Sequence, residues 1–139
     1  MNILLAADGS RFTKKALAFV LAHHGTDPGT RLHILNVQAP LPAHVTRQLG
    51  KKVVDDYHRE QAEKVLQPIT RTLQRHGLDF STGWCIGPVA EEIVRSAAER
   101  KSHLLVMGTH GHGLLGRLVL GSVAQRVVAL SPVPVLLVK

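Results

Sequence analysis

"SHLLVMGTHGHGLLGRLVLGS", residues 102–122, is an apolar run that breaks into glycines and resumes as a helix. The opening "SHLLVMG", residues 102–108, predicts a strand, and helical periodicity takes over from about Ser122 to Leu130. Successive strand side chains point to opposite faces, so a strand that is apolar at every position needs cover on both. Such a strand belongs in a parallel sheet between two helical layers.

Working outward, the same alternation repeats. "NILLAA" (2–7) is a second continuously apolar run and ends at the turn signal Asp8-Gly9-Ser10. Ala16, Leu17, Phe19, Val20 and Leu21 then fall mainly on one helix face, which Gly25 closes. "RLHILNVQ" (31–38), "DFSTGWC" (79–85) and "VPVLLVK" (133–139) predict further strands, with a proline-containing loop at 39–44. Between the second and third strands a long amphipathic stretch reaches His76, carrying Val53, Tyr57, Val65, Ile69 and Leu73. Pro68 predicts a kink or break in it near Gln67. "PVAEEIVRSAAER" (88–100) opens with a proline and early acids, as a helix N-terminus does. The expected fold class is therefore α/β, a Rossmann-like open parallel sheet with helices on both faces, in a single domain spanning 1–139. In such a sheet a ligand sits beyond the carboxyl ends of the strands, where strand order reverses. Asp8-Gly9-Ser10 and the glycine-rich stretch would both face that crevice if the first and fourth strands are neighbours.

The totals narrow the function classes. The chain of 139 residues is 45% hydrophobic and 19% charged, ordinary for a globular domain. No apolar run approaches the ~18 residues of a membrane span. The N-terminus lacks the basic flank of a signal peptide, and the single cysteine, Cys85, cannot form an internal disulfide, so the expected compartment is the cytoplasm. A net charge of +7 would suit nucleic acid, but the basic residues are dispersed and aromatics make up only 4%, so nucleic acid and membrane are not expected partners. From Arg100 to Lys139 there is no Asp or Glu, so the glycine-rich stretch lies in a segment whose fixed charges are all positive. That suits an anion.

Two glycine patterns overlap there. Gly111-x-Gly113-x-x-Gly116 matches a dinucleotide fingerprint by count, yet it follows the fourth strand, not the first, and no acid comes after it to hold a ribose. A nicotinamide-dependent oxidoreductase remains the alternative it supports. The wider pattern is Gly108-x-x-Gly111, nine residues, then Gly121-Ser122. Gly108 lets the backbone turn off the strand, Gly111 admits close approach of a ligand, and Gly121-Ser122 opens a helix whose free N–H groups favour phosphate. Asp8, across the crevice, can accept from ribose hydroxyls or help hold a divalent ion. Ser122 as a plain N-cap is the competing structural explanation. His110 and His112 form an H-x-H pair without a cysteine or carboxylate to complete a tetrahedral metal set, so they are expected as loop histidines near phosphate. Cys85, beside Trp84, is expected to be buried and inert.

"ILLAADGS", "GPVAEEIV", "LLVMGTHGHG" and "LGSVAQRVV…SPVPVLLV" together resemble the universal stress protein family, in its ATP-binding branch, over nearly the whole chain and most weakly from 39 to 78. The resemblance implies strand order 3-2-1-4-5, a homodimer joined through the final strand at 133–139, and ATP or AMP as ligand. By the same resemblance Ala7, Asp8 and Val37 would line the adenine and ribose side. Met107, Gly108, Thr109, His110, Gly111, His112 and Gly113, with Gly121, Ser122 and Val123, would wrap the phosphates, and Mg2+ could accompany the nucleotide at Asp8. A stress-response regulator is the implied role, with a nucleotide-free dimeric adaptor as a further alternative. No carboxylate follows Glu99 and no base is evident, so ATP turnover is expected to be slow or absent.

Overall fold

The computed structural model describes residues 1–112 and 119–139. Its strands are β1 (Asn2–Ala6), β2 (Arg31–Gln38), β3 (Asp79–Ile86), β4 (Leu104–Gly108) and β5 (Val135–Val138). They form one five-stranded sheet in the order β3-β2-β1-β4-β5, and every neighbouring pair is parallel. The helices are α1 (Arg11–His24), α2 (Ala43–Leu49), α3 (Lys51–His76), α4 (Val89–Glu99) and α5 (Ser122–Leu130). The expected fold class holds.

Period-two alternation along β1 explains the two layers. Ile3 and Leu5 bury against Ala16, Leu17 and Val20 of α1 and Ala62, Leu66, Ile69 and Leu73 of α3. Leu4 and Ala6 point the other way, into Ala90, Ile93 and Ala97 of α4 and Ala124 and Val127 of α5. Each Ile, Leu or Val side chain so buried contributes about 1.5–3 kcal/mol, and each alanine less. The connections before β3 therefore lie on one face and those after it on the other. This change of face puts the reversal of strand order between β1 and β4, which pair with Leu4 opposite Leu105.

The long helical region departs from expectation. The chain breaks at Gly50, whose φ of 84° is a left-handed conformation that glycine adopts without strain. Helix α3 then runs straight through Pro68. Pro68 is exposed, so the Lys64 carbonyl it leaves unpaired faces water, while Leu66, Ile69 and Leu73 on either side of it stay buried. Their burial outweighs the ~3 kcal/mol that an interior proline costs. The buried stripe is also offset by one residue early in α3. Val54 and His58 face the sheet, whereas Val53 and Tyr57 are 50% and 42% exposed. His58 is tolerated inside because its Nδ1 lies 2.7 Å from Gln38 Oε1, and the Gln38 amide donates back to the His58 carbonyl at 2.7 Å.

A second histidine is buried at far greater cost. His33 is 7% exposed; its Nδ1 meets Ser81 Oγ at 2.7 Å, and Nε2 has no partner among the described residues. Burial, with Arg100 nearby, lowers its pKa from 6.5 to about 4. The unfolded chain then binds more protons than the fold between those values. The stability from the neutral ring is fully present above pH ~6.5 and is lost as pH falls toward ~4. A full shift of this size would cost up to ~3 kcal/mol, discounted to about 1–3 because the ring edge borders a cleft at the sheet end. Melting His33→Leu and wild type at pH 7 and pH 4.5 should show a smaller acid loss in the variant. Equal losses would mean that another group controls the acid limb.

Candidate functional site

A cavity of about 510 Å³ opens at the carboxyl ends of β1 and β4. Ala7, Asp8, Val37, Met107, Gly108, Thr109, His110, Gly111, Gly121, Ser122 and Val123, all expected at the site, line it together. Gly113 and Gly116 lie outside the described residues. His112 does not line the cavity; its ring N–H donates to the Asp8 carbonyl at 2.6 Å, tying the glycine-rich stretch to the loop after β1.

Asp8 is held from one side only. Its Oδ1 accepts the Ser10 N–H at 2.9 Å and the Thr13 hydroxyl at 2.8 Å. Ser10 is the N-cap of α1, its own hydroxyl accepting from the Thr13 N–H, so the helix start and the carboxylate orient each other. Oδ2 is left toward Gly111, where a Cβ would sit only 2.6 Å from it. That oxygen is an acceptor without a protein donor among the described residues. Gly108 is similarly constrained, since a Cβ there would stand 2.3 Å from Phe12 Cβ.

At the other end, Gly121 is the N-cap of α5, with φ −61° and ψ 155°, and no side chain caps the helix. Ser122 is therefore the first helical residue and not the cap. The Gly121 N–H is spent on the Thr109 carbonyl at 2.8 Å. The donors the helix can present are the next N–H groups, of Ser122, Val123 and Ala124, which no intrahelical carbonyl reaches. All three residues line the cavity.

The described part of the positive segment does not supply the site. No Lys or Arg among the described residues lines the cavity. Arg126 is paired with Glu91 of α4, and Arg100 lines a separate cleft with Asn2, at the opposite end of the sheet. Arg117 lies outside the described residues. Among the described residues, backbone N–H groups and the helix dipole are the positive features offered to an anion.

Sequence reasoning missed Ala6, Thr13, Leu35, Val89, Ile93 and Ala124. With Val37 and Met107, Leu35, Val89 and Ile93 make an apolar end to the cavity. Val89 and Ile93, four apart just after Pro88, carried a helical-face signal, but nothing in their spacing aimed them at a ligand. Among the described residues no group of three His, Cys, Asp or Glu is placed to hold a metal ion. No helix among them is long and apolar enough to cross a membrane. Cys85 is half-buried, not buried, with its thiol 3.8 Å from Glu92 Oε2. Burial and the Glu92 charge raise its pKa, which keeps it protonated and unreactive.

Comparison with known proteins gives one consistent result. The model of the Universal stress protein family matches residues 1–139. The chain is 35% identical to the universal stress protein in the QAH/OAS sulfhydrylase 3'region of Thermus aquaticus, over 99% of this chain and 98% of the relative. Its fold matches that of Methanocaldococcus jannaschii protein MJ0577 with a TM-score of 0.87 at 28% identity, covering 99% of this chain and 94% of the other. A universal stress protein family protein from Arabidopsis thaliana, solved with AMP bound, matches with a TM-score of 0.72 at 15% identity over 100% of this chain and 91% of its own.

Proposed function

The chain belongs to the universal stress protein family, and from that premise we propose that it binds an adenine nucleotide, ATP or AMP, in the crevice between β1 and β4. The observation that carries this is the polarity of the cavity. One end is apolar, built from Leu35, Val37, Val89 and Ile93, and suits a base; the other offers the open first turn of α5, and suits phosphate. Asp8 Oδ2 is available between them to accept from ribose hydroxyls or to hold Mg2+ of the nucleotide. A volume of about 510 Å³ falls within the range of small-molecule sites, and the AMP held by a relative of the same fold supports the choice of base. The protein acts as a cytoplasmic stress-response regulator whose state depends on the bound nucleotide. Calorimetry with ATP, AMP and NADH, followed by assay for released phosphate, tests this. Tight binding of NADH alone would favour the oxidoreductase alternative, and binding of none would favour the nucleotide-free adaptor. Slow or absent phosphate release is expected, because enzymatic transfer needs a positioned base and metal carboxylates, and Asp8 is the only carboxylate among the described lining residues.

We also propose a homodimer through β5. This strand pairs with β4 on one side and is an edge on the other, and such an edge invites a symmetric partner. Val128 and Leu130 of α5, 49% and 43% exposed, add apolar surface close to it in sequence. Light scattering should give a dimer mass, and removing residues 134–139 should give monomer or insoluble protein. A soluble truncated dimer would place the contact elsewhere.

A further inference from the structure

The two ends of the glycine-rich stretch meet in a short ladder. Thr109 donates its N–H to the Val138 carbonyl of β5 at 2.9 Å, and its own carbonyl accepts the Gly121 N–H at 2.8 Å. His110 adds the next rung. Its Nε2 is bonded to the Val119 carbonyl, and its Nδ1 lies 2.9 Å from Thr109 Oγ1. The ring rests tilted against Phe12 at the start of α1, with centroids 5.3 Å apart and an interplanar angle of 43°. A carbonyl oxygen carries no proton, so Nε2 must hold the hydrogen and donate it. In the neutral ring Nδ1 then accepts the Thr109 hydroxyl. Although His110 lines the cavity, both of its ring nitrogens are engaged by the protein.

We propose that His110 is a positioning residue for the phosphate side of the site, acting by locking the base of the glycine-rich stretch and not as a ligand to the nucleotide. The inference rests on the nucleotide-binding reading given above. The aim of the Ser122 and Val123 N–H groups depends on where Gly121 sits. Outside α5 itself, Gly121 is held by its N–H bond to the Thr109 carbonyl and by close packing on His110, where a Cβ would come within 3.3 Å of His110 Cα; its own carbonyl accepts the Gln125 N–H of the helix at 3.0 Å. The rung from His110 to Val119 fixes the chain two residues before that cap. Without it the first turn of α5 is no longer pre-aligned, and the order that phosphate binding needs must be gained at the moment of binding. Among the described residues no hydrogen bond joins Val37, Val89, Ile93 or the Asp8 carboxylate to this rung, whose partners are Thr109 and Val119, so adenosine binding is expected not to depend on it.

His110→Ala should weaken ATP and AMP binding roughly five- to tenfold, as expected for one lost hydrogen bond, with adenosine affinity changed less than about twofold. Two amides separate the nitrogens, because Gln places its Nε2 where the histidine Nε2 lies, while Asn reaches only the Nδ1 position. His110→Gln should therefore bind ATP nearly as wild type does, and His110→Asn should resemble His110→Ala. Hydrogen exchange at the Gly121 amide should be faster in the Ala and Asn variants and unchanged in Gln. The proposal is overturned if adenosine and ATP weaken together, or if Asn preserves binding as well as Gln. Should wild type bind no adenine compound, the nucleotide reading fails on its own. The lock then stands or falls on the exchange pattern, and unchanged Gly121 protection in His110→Ala and His110→Asn would remove it.

Discussion

Gly121→Val is expected to lower ATP affinity roughly ten- to a hundredfold, the cost of losing one or more hydrogen bonds to a charged group. The backbone at Gly121 is an ordinary extended conformation that any residue adopts, so the requirement for glycine is steric. A Cβ there already stands 3.1 Å from the Thr109 carbonyl oxygen and 3.3 Å from His110 Cα. Alanine would ask its neighbours to shift by a few tenths of an ångström. Valine adds two methyl groups on that same Cβ, next to the N–H groups of Ser122 and Val123, where a phosphate oxygen has to come. Adenosine, which lacks the phosphate, should lose much less. Gly113→Ala and Gly116→Ala, which belong only to the dinucleotide fingerprint, should leave ATP affinity nearly unchanged. Calorimetry on the three variants decides between the patterns, with circular dichroism to establish folding. Normal ATP binding by folded Gly121→Val, together with its loss in Gly116→Ala, would assign the phosphates to the wrong glycines.

The order of elements is legible in the chain because each strand is apolar enough to need two covered faces and each connection carries helical periodicity. The glycine spacing is legible for a similar reason, since Gly108, Gly111 and Gly121 each stand where a Cβ meets another atom at 3.1 Å or less. What escaped has physical causes as well. Pro68 reads as a breaker because local propensity cannot see the core that holds α3 on both sides of it. His58 reads as polar because its partner, Gln38, is 20 residues away. The described positive charges from Arg100 onward share one acid-free segment of sequence and are scattered in space, since a βα unit carries its residues from one end of the sheet to the other. Arg126 then meets Glu91 on the neighbouring helix. The helix terminus, whose charge is spread over backbone groups and has no residue letter, is the feature that faces the cavity.

The carboxylate between the two ends of the site can be tested without disturbing that terminus. Asp8 has two oxygens with separate tasks, and asparagine divides them. In Asp8→Asn the remaining oxygen can still accept the Ser10 N–H and the Thr13 hydroxyl, now at 2.9 and 2.8 Å, so the melting temperature should barely move. The amide nitrogen replaces Oδ2 and turns an acceptor into a donor, facing ribose hydroxyls or Mg2+ with the wrong polarity. Affinity for adenosine and ATP should fall by the same factor, about ten- to a hundredfold, because the group at stake is common to both. Asp8→Ala removes both tasks and should add a stability loss of about 1–3 kcal/mol, since the buried Ser10 N–H and Thr13 hydroxyl lose their acceptor. Calorimetry with both ligands and thermal melting check the split. An Asp8→Asn protein that binds adenosine as wild type does would show that the carboxylate serves only to cap α1. Asp8→Asn should lower affinity for both ligands and Gly121→Val mainly for ATP, and their effects on ATP should add in the double variant to within ~0.5 kcal/mol if the carboxylate and the α5 terminus act independently.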